Sequence, residues 1–306
     1  MEHTVRKTLV RGGAALLQAY YRHVPLVAGK RPVWHSVVGR LLPRAQGIPF
    51  EASTRFGARM HVRFPDTIQS HVYFFGVWEP AITAYLTRAL GPGDIMIDIG
   101  ANVGYDTLLA SHLVGPEGHV HAIEASPGIH ALLLDNLDLN GTGNVSAHAV
   151  AACASVCSVP VYLHDARNLG GTTIVPAVAR RRDVRLEATV PGRPLPAIVP
   201  EAAIRAARLI KIDVEGAEWS VVQGFAHLLP ELSHRSELLV ETSAEALRDH
   251  GMSIPAFLAV FREAGFTPWV IGNRYDVDMY LAADPVRPVP LTGEDFDQLD
   301  LLFRRA

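Results

Sequence analysis

Cysteine, lysine and unbroken apolar runs are all scarce in this 306-residue sequence. Its two cysteines, Cys153 and Cys157, stand without the further ligands of a four-coordinate zinc site or the partners of a disulfide framework. They read as buried small hydrophobes, in a chain suited to a reducing cytoplasm. An excess of positive charge is missing too. The 28 Lys+Arg against 31 Asp+Glu leave a formal charge of −3, so no broad electrostatic footprint for nucleic acid is present and none is expected as a partner. Nowhere do roughly 20 apolar residues run together, and no apolar segment with a small-residue cleavage site follows the basic start, so neither a membrane span nor a secretion signal is expected. What is there is 49% hydrophobic residues, enough for a large core in one or two domains.

The first 47 residues hold Arg6, Lys7, Arg11, Arg22, Lys30, Arg31, Arg40 and Arg44 against Glu2 as sole acid. Leu9, Leu16, Leu17, Tyr20 and Val24 recur at helical intervals among them. Residues 1–65 therefore read as a basic helical extension. It either docks on its own domain or a second subunit, or lies on an anionic membrane surface.

From Asp94 onward, strand and helix patterns alternate, which argues for an α/β, doubly wound, Rossmann-like domain over residues 66–306. "DIMIDIG" is a buried strand, Tyr105 to Val114 a helix and "HVHAIEA" a second strand. Ser126 and Pro127 open a helix that stops at Asn140-Gly141. Strands follow near Val145–Val150 and Val159–Leu163, then an irregular insertion over 164–183, then "ARLIKIDVEG" as a strand. "AEWSVVQGFAHLL" reads as one amphipathic helix and "ELLVETS" as a strand. Ser253 and Pro255 open a last helix. "FTPWVI" and "YDVDMYLA" read as closing antiparallel strands.

The chemistry lies just beyond the first strand. In Gly100-Ala101-Asn102-Val103-Gly104-Tyr105 two glycines permit unusual dihedral angles and close ligand approach, and the next helix directs free N–H groups into the same space. Glu124, after the second strand, can accept from a ribose diol. A dinucleotide fingerprint would be G-x-G-x-x-G. Here the run is G-x-N-x-G preceded by Asp98, whose charge disfavours pyrophosphate and suits a sulfonium or ammonium group. These residues favour S-adenosylmethionine over a nicotinamide cofactor. Tyr105, Ala125 and Ser126 border the same candidate site. Glu79 is a candidate for the methionyl ammonium, with Tyr73, Phe74 and Trp78 as shields or as core filling.

A second acidic group, Asp213 with Glu215 and Glu218, follows "IKI". The macrodipole gives Glu218 a structural reading, whereas Asp213 and Glu215 are expected to face the cleft. Lys211, one of three lysines, reads as half of a buried ion pair.

"DIMIDIGANVGYDTLLAS", "GHVHAIEASP", "NLDLNG" and "LIKIDVEGAEWSVVQG", with "FFGVWEP" upstream, resemble the FkbM-type family of class I S-adenosylmethionine-dependent methyltransferases, most of which methylate oxygen. The resemblance covers about Tyr73 to Thr242. It implies a seven-stranded sheet with one antiparallel strand, and cofactor contacts at Asp98, Gly100, Ala101, Asn102, Gly104 and Glu124. The expected reaction is methyl transfer to a hydroxyl of a sugar, glycolipid or polyketide-like product. An idle scaffold of this fold and an NAD(P)-dependent oxidoreductase are the alternatives. Removing an alcohol proton needs a base within hydrogen-bond reach, and Asp213, Glu215, Glu241 and His164 are the candidates. The same carboxylates could instead hold Mg²⁺.

Overall fold

The computed structural model describes residues 2–165, 167–182, 184–274, 276–281 and 287–305. Strands with apolar residues on both faces are driven to the middle of a sheet. Ile95–Ile99 (β3) and Leu209–Ile212 (β9) are such strands, and they pair in parallel at its centre. His119–Glu124 (β4) and Val145–Ala149 (β5) extend the parallel sheet on one side, and Glu237–Ser243 (β10) on the other. Beyond β10 lies Gln298–Arg305 (β13), antiparallel both to β10 and to Phe266–Ile271 (β11). This gives the expected seven strands with one reversed, plus the two-residue edge strand Val289–Pro290 (β12). Side chains alternate between two cores. Met96, Val120 and Leu209 pack with the helices Tyr105–Val114 and Pro127–Asn140, whereas Ile97, Ile210 and Val240 pack with Ile254–Glu263.

Four expectations need correction. Val277–Leu281 is helical, with Tyr280 against His71 and Phe75 at 4.4 and 5.0 Å between ring centres, so the reversed strand comes from Gln298–Arg305 instead. Tyr275 and Ala282 of that stretch lie outside the described residues. The "AEWSVVQGFAHLL" helix breaks into Glu218–Gln223 and a 3-10 segment, Ala226–Glu231, where Gly224 packs so closely on the Cys153 carbonyl that a side chain would not fit. The extension is not wholly helical: Pro49–Ser53 (β1) and Arg59–Arg63 (β2) form a hairpin, because Ala52, Met60 and Val62 alternate inward. Cys157 is exposed, while Cys153 is buried.

The helix Glu2–His23 docks on the C-terminal end of the helix Thr67–Phe75. Arg22 donates to the carbonyls of Val72 and Tyr73 at 2.8 and 2.7 Å, and Gln18 also reaches Tyr73. Buried Lys30 caps the first helix, donating to the carbonyls of Tyr21 and Val24.

The described part of the insertion lies at the tip of a long hairpin between Cys157–His164 (β7) and Val184–Arg193 (β8), which with Ala151–Ala152 (β6) form a side sheet. It carries the 3-10 turn Leu169–Gly171 and the helix Pro176–Arg181; its Ala166 and Asp183 lie outside the described residues. Asp66 ties it down. One carboxylate oxygen accepts from Gln69 N–H as an N-cap and the other from Leu169 N–H, both at 2.9 Å, with the residue 1% exposed. Replacing it removes a cap and an anchor together. Asp66→Ala is expected to cost about 1–2 kcal/mol in denaturant unfolding and to speed tryptic cleavage after Arg180 to Arg182.

Candidate active site

The turn after β3 is shaped by contacts that only glycine permits. Gly100 sits at φ 89°, and a Cβ there would overlap the Asp213 carbonyl after β9. Gly104, at φ 90°, packs in the same way on Leu133. The Gly100 and Ala101 N–H groups both donate to the Ile123 carbonyl, at 2.9 and 3.0 Å, which fastens the turn to the end of β4. Glu124 follows, buried, its two oxygens accepting from Asn102 N–H at 2.9 Å and Ser126 N–H at 2.8 Å. Those bonds fix the carboxylate at the wall of a small crevice formed by Ile123, Ala125, Val150, Ala151 and Ile174. Burial pushes Glu124 up to about 7.

A second, larger cavity of about 570 Å³ meets the crevice at Gly100, Asn102 and Asp213. Its floor is electrostatically unusual. Lys211, 5% exposed, stands 2.9 Å from Asp213 and 3.2 Å from Asp106. Burial alone would lower the pKa of its ammonium, yet the charges of Asp213, Asp106, Asp98 and Glu79 hold it well above the ordinary lysine value. Four carboxylates thus share one ammonium. Asp98 accepts from Thr107 at 2.6 Å through one oxygen, and its other oxygen is buried without a partner among the described residues, as is one of Asp106. Burial pushes Asp98 up to about 6, although Lys211 pulls the other way. Buried Glu79 takes a left-handed conformation at φ 42° and accepts from Asn273 at 2.9 Å; burial raises it well above the usual carboxylate range.

Across the cavity Asp213, Glu215 and Glu241 bring carboxylate oxygens within 4.8 Å of one another. Each is already held: Asp213 by Lys211, Glu215 by Arg182 at 2.8 Å, and Glu241 by Gln298 at 2.7 Å. Burial, then the charges of Asp213 and Glu215, raise Glu241 well above its ordinary value. Glu215 is raised by burial and Asp213, with Arg182 opposing.

The structure therefore gathers Glu79, Gly100, Ala101, Asn102, Tyr105, Glu124, Ala125, Asp213, Glu215, Glu241 and His164 around two adjoining cavities, whereas Asp98 is buried and lines neither. Gly104 shapes the turn from behind. Ser126 lines neither cavity: its hydroxyl accepts from Ile129 N–H as a helix cap and donates to Glu187. Glu218 is structural, accepting from Gly216 and Val214 N–H. His164 lines the cavity, but its Nδ1 accepts from Asp165 N–H at 2.8 Å. Trp78 lines the cavity as well, whereas Tyr73 and Phe74 are core residues packed on Phe64. Sequence reasoning missed Asp106, Arg182 and Gln298. Asp106, directly after the glycine turn in a first helical turn, was the one with a visible signal.

The unshared buried oxygens of Asp98 and Asp106, the surplus of carboxylates over Lys211, the bare Gly100 turn and the fixed Glu124 all suit a ligand bearing a cation and a diol, as S-adenosylmethionine does. A parallel sheet with β13 reversed between β10 and β11, a glycine turn after β3 and an acid after β4 define a Rossmann-like fold of the class I methyltransferase type. Residues 98–268, more than half of the chain, match the methyltransferase FkbM domain, and the chain belongs to that family. Over 57 residues it is 35% identical to an arsenite methyltransferase of Halobacterium salinarum, a match spanning 19% of this chain and 15% of that protein. Over 114 residues it is 28% identical to a protein-L-isoaspartate O-methyltransferase of Ignicoccus hospitalis, spanning 32% of this chain and 54% of that one. The chain thus spans about half or less of the length of these relatives. The solved precorrin-6y C5,15-methyltransferase of Geobacter metallireducens aligns with a TM-score of 0.40 at 12% identity, covering 74% of this chain and 87% of that one.

The raised carboxylates give binding a pH dependence of definite sign. A cationic ligand favours their ionised forms, so binding releases protons; affinity is full above the free-protein values and is lost as pH falls through them. With Glu124 near 7 and Asp98 near 6, affinity for S-adenosylmethionine by calorimetry is expected to fall at least about tenfold between about pH 8 and pH 5.5. A flat profile would contradict the assignment.

Proposed function

We propose that the protein is an S-adenosylmethionine-dependent O-methyltransferase acting on a hydroxyl of a sugar, glycolipid or polyketide-like product. The observation that carries this reading is the pair of cavities meeting at Gly100 and Asp213, one walled by the fixed Glu124 and the other lined by Lys211 with Asp213, Asp106 and Glu79, behind which Asp98 is buried. Glu124 would hold the ribose, and Asp98, Asp106 and Glu79 would face the cationic end. When bound, the cofactor supplies an electrophilic methyl group. The chain's own work is to align the acceptor, exclude water and take its proton.

Glu241 and Glu215 suit that last task, since burial and neighbouring charge raise their affinity for a proton. As the methyl–sulfur bond broke and S-adenosylhomocysteine left with the electron pair, the acceptor oxygen would take the methyl carbon and its proton would pass to one of these carboxylates. Hydrogen-bonding groups from Thr67, Asn168, Arg182 and Gln298 line the same cavity, which supports a hydroxylated acceptor. The acidic trio has the donor chemistry for Mg²⁺, but Lys211, Arg182 and Gln298 already engage its members, which favours proton transfer over metal binding. A pyrophosphate at the glycine turn would meet Asp98 and Asp106, which counts against a nicotinamide enzyme. Two cysteines in 306 residues fit a cytoplasmic setting.

Calorimetry with S-adenosylhomocysteine is the first test. Glu124→Ala and Gly100→Val should each abolish binding, and wild-type affinity in both would refute the site. In single-turnover assays over a panel of hydroxylated acceptors, Glu241→Gln or Glu215→Gln should lower the rate by about 10²–10⁴ with cofactor affinity retained. Unchanged turnover in both would move the base to His164 or to a metal-bound water. Tight cofactor binding by the wild type with no transfer to any acceptor would favour the idle-scaffold alternative.

A further inference from the structure

The helix Glu2–His23 buries one side only. Val10, Ala14 and Tyr21 enter the core, while Val5, Leu9 and Leu16 are 54%, 71% and 75% exposed. At about 100° per residue these three fall in one narrow strip, roughly 140° around the helix from the buried set. They form a second apolar stripe rather than a margin of the first. The chain after the helix adds Leu26 and Val27, 64% and 52% exposed. Among the described residues, seven of the eleven exposed large hydrophobics lie between Val5 and Val37. Apolar residues scattered singly over a surface need no explanation, but such a concentration does.

Charge identifies the occupant. Arg22 and Lys30 are spent on carbonyls inside the fold, as the docking of the helix shows. Arg6, Arg11, Arg40 and Arg44 are exposed and Lys7 half-buried, none with a described carboxylate partner. Among the described residues, Arg6, Arg11 and Arg44 donate to neutral backbone carbonyls. The segment is thus strongly cationic in a chain of formal charge −3. No described helix is long and apolar enough to cross a membrane.

We infer that this face lies on an anionic lipid surface, with Leu9 and Leu16 among the acyl chains and the cations among the headgroups. A second copy fits less well. A two-fold contact sets the same patch against itself, bringing cations onto cations with Glu2 as the segment's only acid.

Vesicle flotation of the full chain tests this, with neutral phosphatidylcholine compared against mixtures containing phosphatidylglycerol. Anionic vesicles should bind at least about tenfold more protein, and high salt should abolish the difference. Leu9→Glu with Leu16→Glu, and separately Arg6→Glu with Lys7→Glu, should each cut binding about tenfold or more while melting temperature and S-adenosylhomocysteine affinity stay at wild-type values. Equal binding to both vesicle types, or no effect of either double variant, would overturn the inference. So would a wild-type dimer in sedimentation that the Leu9→Glu, Leu16→Glu variant converts to monomer, which would make the stripe a homotypic interface.

Discussion

The arrangement at the carboxyl ends of the central strands depends on one ammonium. Lys211 is carried on β9, almost fully buried at the floor of the larger cavity, and Asp213, Asp106, Asp98 and Glu79 converge on it from beyond that strand. Without that charge the carboxylates would repel one another in a poorly solvated space, and most would take up protons. With it, they remain partly compensated, leaving a deficit of positive charge that a ligand can fill. A site of this kind recognises its ligand by what the folded protein lacks.

Around this centre two accessory structures close the cleft. The insertion reaches over from the side sheet and is held both by Asp66 and by the Glu215 loop, where Thr173 donates to the Glu215 carbonyl at 2.7 Å and Arg182 to the carboxylate. The extension braces the opposite wall by docking on Thr67–Phe75, whose Thr67 and Ile68 line the larger cavity. Arg182 therefore has two consequences: it fastens the roof, and it restrains the basicity of Glu215. Glu241, held by neutral Gln298, has no comparable restraint.

Much of this was legible in the chain because its local signals agree with one another. The buried strands, the Ser126-Pro127 helix start and the Gly141 stop fall where their residues dictate, and the glycine turn with Glu124 locates the crevice. The rest depends on contacts distant in sequence. Gln298 reaches Glu241 across 57 positions, through a β13 pairing that no local pattern announces. Gly224 ends a helix because the Cys153 carbonyl lies beside it, and Val277–Leu281 is helical where an alternating reading suggested a strand. Ser126 looked like a ligand contact by position, yet Ile129 and Glu187 occupy its hydroxyl.

The near-contact of Gly100 with the Asp213 carbonyl joins the loops after β3 and β9 at van der Waals distance. Neither loop has slack to shift without displacing the other. Under the proposed function, a donor settling on the first loop would set the placement of the acids on the second, so that the seat of the transferred group and the sink for the departing proton would shift together.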